Sequence, residues 1–256
     1  MLSVLILALD EGPNIQRCLS ALTWAREVLV VDSFSADSTL DICRQFSNVR
    51  VLQRRFDLHA HQWNFGCENC QGDWILALDA DYILSPDIAA ELKEFKPREG
   101  IDAYFANFTY CINGHPLRTC LYPPRAVLFN KRKCAYKQDG HTQLLRIPAG
   151  SGWLNGKILH DDRKPLSRWL INQAKYAMLE AEKLQAADPG SLKVQDRIRL
   201  QIILAPILVF FYTLFWRRLV LDGWSGFYYA LQRTIAEMIL SLYLLESRMG
   251  KGVRDE

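Results

Sequence analysis

No stretch of this chain is plainly long enough to cross a bilayer. Its longest uncharged run, Ile202 to Trp216, has 15 residues, contains Pro206 and is closed by Arg217-Arg218, whereas a spanning helix needs about 17–25. The apolar start, Leu2 to Leu9, has no basic segment before it, so it reads as a strand and not as a signal peptide. Seven cysteines are scattered from Cys18 to Cys134 without the spacing of a disulfide framework, which suits a reducing compartment. Cys67 and Cys70 form one C-x-x-C but lack the second pair of a zinc ribbon, so buried thiols are expected there. Charge of one sign is also missing. The 31 basic and 28 acidic residues leave +3, too little to argue for a nucleic-acid partner. No internal repeat or low-complexity segment occurs. Half the residues are hydrophobic and 23% charged, which excludes a disordered chain.

What is present in the first half is alternation. Ser3–Ala8, Val28–Val31, Val49–Leu52 and Trp74–Leu78 are short apolar runs of the kind buried on both faces of a sheet. Helical patterns separate them: Asn14–Leu22, then Ser38–Phe46 with Asp37 as N-cap, then about His59–Cys70. Such alternation predicts an α/β fold with a mainly parallel sheet and helices on both faces. From about residue 103 the texture changes, with strands expected at 104–110, 126–129, 143–147 and 157–159. A helix follows over 165–187, ended by Asp188-Pro189-Gly190.

Ligands of parallel α/β sheets bind beyond the carboxyl ends of the strands. Three acidic groups share that rim: Asp10-Glu11, Asp32 to Asp37, and Asp79-Ala80-Asp81. Each taken alone reads as a solvated loop. Together they repel, and a cation or hydrogen-bond donors would offset the repulsion.

In order along the chain, Val30-Val31-Asp32-Ser33-x-Ser35-x-Asp37-Ser38-Thr39, Gln62-x-Asn64-Phe65 and Gly72-Asp73-Trp74-Ile75-Leu76-x-Leu78-Asp79-Ala80-Asp81 resemble the family 2 glycosyltransferases of the GT-A (Rossmann-like) fold. Trp24 and the tail motif Leu221-Asp222-Gly223-Trp224-x-Gly226 are similar to the bacterial lipopolysaccharide-core β-glucosyltransferase type. The resemblance implies a nucleotide-diphosphate sugar, usually UDP-linked, bound by Leu9, Glu11, Asp32, Ser33, Asp37, Gln62, Asn64, Asp79, Ala80, Asp81 and Arg163. Asp32, Glu11 and Asp37 would line the nucleoside side, with Gln62 and Asn64 nearby. Asp79 and Asp81 would hold the sugar and a diphosphate-bound divalent cation, Mn2+ or Mg2+. The sequence departs from the pattern in Asp10-Glu11, where Asn-Glu is usual, and in Trp63, where the family often has Arg.

An inverting transfer also needs a base for the acceptor hydroxyl. The family often carries His-Glu in the region of Asp139-Gly140-His141-Thr142, and Thr142 replaces that Glu, so Asp139 is the first candidate and His141 the second. In His160-Asp161-Asp162-Arg163-Lys164, one reading is a charged turn in which Asp162 caps the helix and Pro165 opens it. The other makes His160 a third metal ligand and Arg163 or Lys164 a diphosphate partner.

Residues 1–190 are thus expected to form the catalytic domain and 191–256 a membrane-associating tail. Lys193 to Arg218 carries five basic residues and one acid. Trp224, Phe227, Leu231, Ile235, Met238 and Leu242 then recur at helical spacing, which suits helices lying in an anionic headgroup layer; the rival reading is that the two helices pack on each other or form a homo-oligomer interface. The function expected is transfer of a sugar to a lipid-borne saccharide or polyprenyl acceptor at the cytoplasmic face of the inner membrane. The alternative is an inactive sugar-nucleotide-binding scaffold.

Overall fold

The structure, a computed structural model, describes residues 1–139, 142–188, 190 and 192–252, and the side chains of 139, 142 and 250–252 lie outside the description. Two compact units emerge. Met1–Pro116 and Leu121–Lys164 form the first, and Leu117–Cys120 with Pro165–Glu256 form the second.

In the first unit the expected alternation is present: β1 (Leu2–Ala8), α1 (Gly12–Ser20), β2 (Val28–Asp32), α2 (Thr39–Cys43), β3 (Val49–Gln53), α3 (His59–Asn69) and β4 (Trp74–Asp79). Then come β5 (Tyr82–Leu84), α4 (Pro86–Lys93), β6 (Ile101–Ile112), β7 (His115–Pro116), β8 (Arg125–Asn130), β9 (Ala135–Asp139), β10 (Thr142–Arg146) and β11 (Gly150–His160). The large sheet has the order β3-β2-β1-β4-β8-β6-β11-β5, with β7 on β6, and β9 and β10 form a separate hairpin. β1 pairs in parallel with both β2 and β4, with Ala8 opposite Asp32 and Leu7 opposite Asp79. That register is what brings the three acidic loops to one edge.

β1, β2 and β4 are apolar in unbroken runs because both faces are covered. On one face Val4, Ile6, Val30, Leu76 and Leu78 meet Ile15, Leu19 and Leu22 of the α1 region and Ile88 and Leu92 of α4. On the other, Leu5, Leu29, Val31, Ile75 and Ala77 meet Trp63 and Cys67 of α3. Each such side chain, fully buried, contributes about 1.5–3 kcal/mol. The thiols of Cys67 and Cys70 are buried, and burial pushes both well up, Cys70 to about 12. They are core residues, as expected.

Three local expectations are corrected. α2 is a single turn whose N-cap position is Ser38, because Asp37 is one residue too early and accepts instead from the Thr39 backbone N–H (2.9 Å). The short strand expected at 157–159 is the end of the much longer β11, which pairs with β6 around an irregularity between Trp153 and Lys157. Asp162 does not cap the following helix. Pro165 holds the N-cap position there, and Asp162 accepts from the Lys164 backbone N–H (3.0 Å).

The second unit contains α5 (Leu166–Ala186), α6 (Val194–Arg199), α7 (Leu204–Phe211) continued by a π-turn at Tyr212–Trp216, a 3-10 turn at Leu219–Asp222, and α8 (Gly223–Gly252). Ala177, Ala181 and Leu184 of α5 pack on Leu240 and Leu244 of α8, so the helix over 165–187 is compact with the tail. Arg199 pairs with Glu237 (2.7 Å), Glu180 (3.5 Å) and Asp196 (3.6 Å). The tail motif has a structural reading. Asp222 accepts from the Arg118 backbone N–H and Nε, both at 3.0 Å, Gly223 takes φ +59°, and a Cβ on Gly226 would stand 1.9 Å from the Leu219 carbonyl oxygen.

Glycine is equally constrained where β11 crosses α4, since a Cβ on Gly156 would lie 2.5 Å from both Cβ and N of Ile88. Gly156→Ala should therefore destabilise the protein by about 1–3 kcal/mol through overpacking. Chemical denaturation checks this, and an unchanged midpoint would refute the close contact.

Candidate active site

The rim is built from backbone turns before side chains. Asp10 sits at φ +53° and Phe34 at φ +65°, the left-handed region that Asp and Asn tolerate best. That requirement explains why Asp10 stands in for the usual Asn, since either residue suits the turn. The Asp10 N–H donates to Ser35 Oγ, and its carboxylate accepts from the Ala36 N–H, each at 2.8 Å. The loops after β1 and β2 are thereby clipped together. A third clip is Gly12 N–H to Asp37 at 2.8 Å.

Several residues expected to face a nucleotide are occupied within the protein. Asp32 is fully buried and accepts from the Phe34 N–H (3.0 Å), the Ser35 N–H and hydroxyl, and Gln53 Nε2 (3.0 Å). Gln62, also fully buried, donates to Ser33 Oγ (3.0 Å) and accepts from Arg54. Asn64 uses both ends of its amide on the backbone of Tyr136, donating and accepting at 2.9 Å. Trp63 is buried against the Tyr136 ring at 5.5 Å. These residues shape the β2 and β9 edges. Leu9 is exposed and Ala80 is buried under the β4 turn.

Around Asp79 and Asp81 the picture is different. Glu11 accepts from Lys164 Nζ (2.7 Å) and Asn14 Nδ2 (2.9 Å). Asn14 also bonds Asp162 (2.8 Å), and its oxygen receives the Arg163 N–H (2.8 Å). Asp161, nearly inaccessible, is clamped by Arg17 (2.5 Å), Arg163 (2.8 Å) and the Gly114 N–H (3.0 Å). Arg163 is thus engaged by Asp161, and a Cβ on Gly114 would strike its guanidinium at 2.6 Å. The clamp fixes His160, whose Nε2 lies 3.2 Å from Asp81 Oδ2.

The charges explain the titration of the group. Burial pushes Glu11 up to about 7 against the pull of Lys164, with Asp81 adding repulsion. Burial opposes the charged forms of Asp81 and His160 too, but each holds the other ionised, so Asp81 lies below and His160 above its ordinary value. Lys164 is likewise raised despite burial, by Glu11, Asp162 and Asp81.

Two buried atoms here have no hydrogen-bond partner among the described residues, Asp81 Oδ1 and His160 Nδ1. Such an oxygen needs a cation or a donor, and paired aspartates supply the hard ligands a divalent ion prefers. Asp79 and Asp81 fit that group. His160 is instead engaged by Asp81, and among the described residues no three His, Cys, Asp or Glu side chains converge as a ready-made metal cluster. The base candidates Asp139, by its side chain, and His141, entirely, lie outside the described residues.

Sequence reasoning missed Asn14, Arg17 and Lys164's pairing with Glu11. It also missed a cluster of rings about His160, with Tyr110 and Tyr122 at 4.7 Å and Tyr82 at 5.2 Å. Alternation near the β6 and β8 strands hinted at buried aromatics but not at their meeting point.

Comparisons with known proteins identify the family and the fold. The lipopolysaccharide core biosynthesis glycosyltransferase LpsC of Rhizobium meliloti is 25% identical over 241 residues, 88% of this chain and 85% of that protein. An uncharacterized glycosyltransferase of Rickettsia bellii is 31% identical over 106 residues, and the matched part spans only 36% of that relative's length. In fold, the chain is similar to the mannosyltransferase PcManGT of Pyrobaculum calidifontis, solved with GDP-Man and Mn2+ (TM-score 0.54, 13% identity, 95% of this chain and 86% of that one). It is also similar to S. aureus TarS, solved with UDP-GlcNAc (TM-score 0.51, 14% identity, 97% and 92%). The α/β architecture is thus that of the GT-A fold. Residues 3–152, more than half of the chain, match the family described as Glycosyl transferase family 2, and the protein belongs to that family.

Proposed function

We propose that the protein transfers a sugar from a nucleotide-diphosphate sugar, UDP-linked, to a lipid-borne saccharide, with inversion, at the cytoplasmic face of a bacterial inner membrane. The observation that carries this reading is the excess of carboxylate at one rim. Glu11, Asp79, Asp81 and Asp162 gather around Lys164 and His160, and a cation-borne diphosphate matches that imbalance.

The β1 and β2 loops, held by Asp10, Asp32 and Asp37, form the nucleoside side. Asp79 and Asp81, with His160 beside them, are the residues that would hold a divalent cation. Such an ion, when bound, offsets charge on the leaving diphosphate. The acceptor oxygen forms a bond to the anomeric carbon as the bond to the diphosphate oxygen breaks, and the acceptor proton passes to a carboxylate, for which Asp139 is the candidate. The support from relatives is that LpsC is named for lipopolysaccharide core biosynthesis and that PcManGT was solved with manganese.

The second unit supports the membrane part of the reading. No single described helix is long and apolar enough to cross a bilayer, but Leu204–Trp216 and Leu219–Met249 pass the same test together as a pair bent by 68°. Trp216 is 79% and Trp224 85% exposed, and Phe211, Phe215 and Leu242 are exposed as well. An open apolar cleft of about 510 Å³ runs beside Ile203, Phe211 and Met238. Apolar exposure on this scale, flanked by Trp and Arg, suits the headgroup layer.

Asp81→Asn should lower kcat/KM for the sugar nucleotide more than about 10²-fold, and exhaustive chelation should do the same to the parent. Full activity after chelation would remove the metal. Asp139→Asn should lower kcat about 10²–10⁴-fold with little change in donor affinity. If His141→Ala does this and Asp139→Asn does not, His141 is the base. In sedimentation with vesicles, the full chain should bind phosphatidylglycerol-containing bilayers, and Trp216→Ser with Trp224→Ser should weaken binding at least about tenfold. A parent protein that ignores such vesicles would contradict the anchoring.

A further inference from the structure

Several arginines of the first unit have carboxylate partners among the described residues. Arg17 and Arg163 pair with Asp161, Arg50 with Glu27, Arg54 with Asp57, and Arg132 with Asp73. Arg125, which opens β8, does not. Its guanidinium lies over the Tyr122 ring, 4.9 Å from the centroid, and among the described residues no carboxylate lies within ion-pair distance of it. It is only partly accessible. A half-buried guanidinium carries five N–H donors in a rigid fork suited to oxyanions.

Its place is set by the sheet. β8 runs antiparallel to β4 with Leu76 opposite Leu128, so Arg125 lies toward the end of β4 that carries Asp79. Burial opposes the charge on Arg125, and Asp79 favours it. The Tyr122 ring beneath it stands 4.7 Å from the His160 ring, and Tyr122 and Tyr82 share a hydroxyl hydrogen bond. From Asp81 through His160 and Tyr122 to Arg125 the contacts are continuous. The nucleoside loops follow β1 and β2, on one side of β4, whereas β8 adjoins β4 on the other.

Building on the functional reading above, we infer that Arg125, stacked on Tyr122, binds an oxyanion of the sugar acceptor, a phosphate or carboxylate, and so selects an anionic saccharide. The donor diphosphate is the other source of such a group; Asp79 and Asp81, which would hold it through a cation, follow β4, whereas Arg125 opens β8. Arg125 is then a specificity residue of the acceptor side.

The test uses the full chain saturated with UDP in the presence of manganese, titrated with glucose, glucose 6-phosphate and glucuronate and followed by ligand-observed NMR. UDP affinity is measured separately by calorimetry, and thermal denaturation verifies that each variant is folded. The parent should bind at least one of the anionic sugars about tenfold or more tightly than glucose. Arg125→Gln should abolish that preference, Arg125→Lys should keep part of it because charge survives without the fork, and UDP affinity should change less than about twofold in both. A parent that binds UDP but shows no anionic preference overturns the inference alone. So does an Arg125→Gln protein that keeps the preference, or one whose UDP affinity falls tenfold, which would assign Arg125 to the donor. A parent that binds no nucleotide or nucleotide sugar overturns the functional reading and this inference with it.

Discussion

Carboxylates crowded at the ends of three parallel strands cannot all remain charged without countercharge, and the segment from His160 to Lys164 supplies it. β1 and β4 deliver Glu11, Asp79 and Asp81 to one edge because their register leaves them no alternative. The end of β11 and the residues after it then bring His160 to Asp81 and Lys164 to Glu11. Asp161 sits at the centre of this countercharge as a buried acid held by two arginines. A buried carboxylate that lost one of those partners would be strongly destabilised, so the clamp has to be complete for the rim to persist. Glu11, Asp79, Asp81 and Asp162 still outnumber Lys164 and His160 at this rim, and it is this imbalance that the proposed cation would offset.

Much of this order was legible in the chain. Unbroken apolar runs mark strands covered on two faces, and the positions of Asp10, Asp32 and Asp79 just after such runs predict their common edge. The role of each polar residue was less legible. The family resemblance assigns Asp32, Gln62 and Asn64 to the nucleotide, and the structure adds that each also makes hydrogen bonds inside the protein. Asn14 shows the reverse. It stands in the first turns of α1 like any polar helix residue, but it is 1% exposed and joins Glu11 to Asp162. Partners nearly 150 positions apart have no local period, so no pattern in the sequence pairs them. The same holds for Arg125, whose importance lies in what surrounds it.

The helical region illustrates a different limit. Helical spacing over Trp224 to Leu242 predicts an apolar face but not which residues of that face find partners. Leu240 and Leu244 pack on α5, while Trp224 and Leu242 remain exposed. The Leu221-Asp222-Gly223-Trp224-x-Gly226 motif likewise divides. Its aspartate and glycines satisfy a turn and a close backbone approach, and its leucine and tryptophan are exposed.

The short piece Leu117–Cys120 belongs with the second unit although it is embedded in the sequence of the first. Arg118 is tied to Asp222, and the Cys120 carbonyl accepts from Arg217 at 2.9 Å. The chain therefore passes between the units at three points, and neither is a contiguous cassette. Recombination that exchanged everything after Lys164 for another sequence would leave Arg118 and the Cys120 carbonyl to find new partners. The helical unit is thus heritable only together with the loop that joins β7 to β8, so variation in the two segments is expected to be coupled.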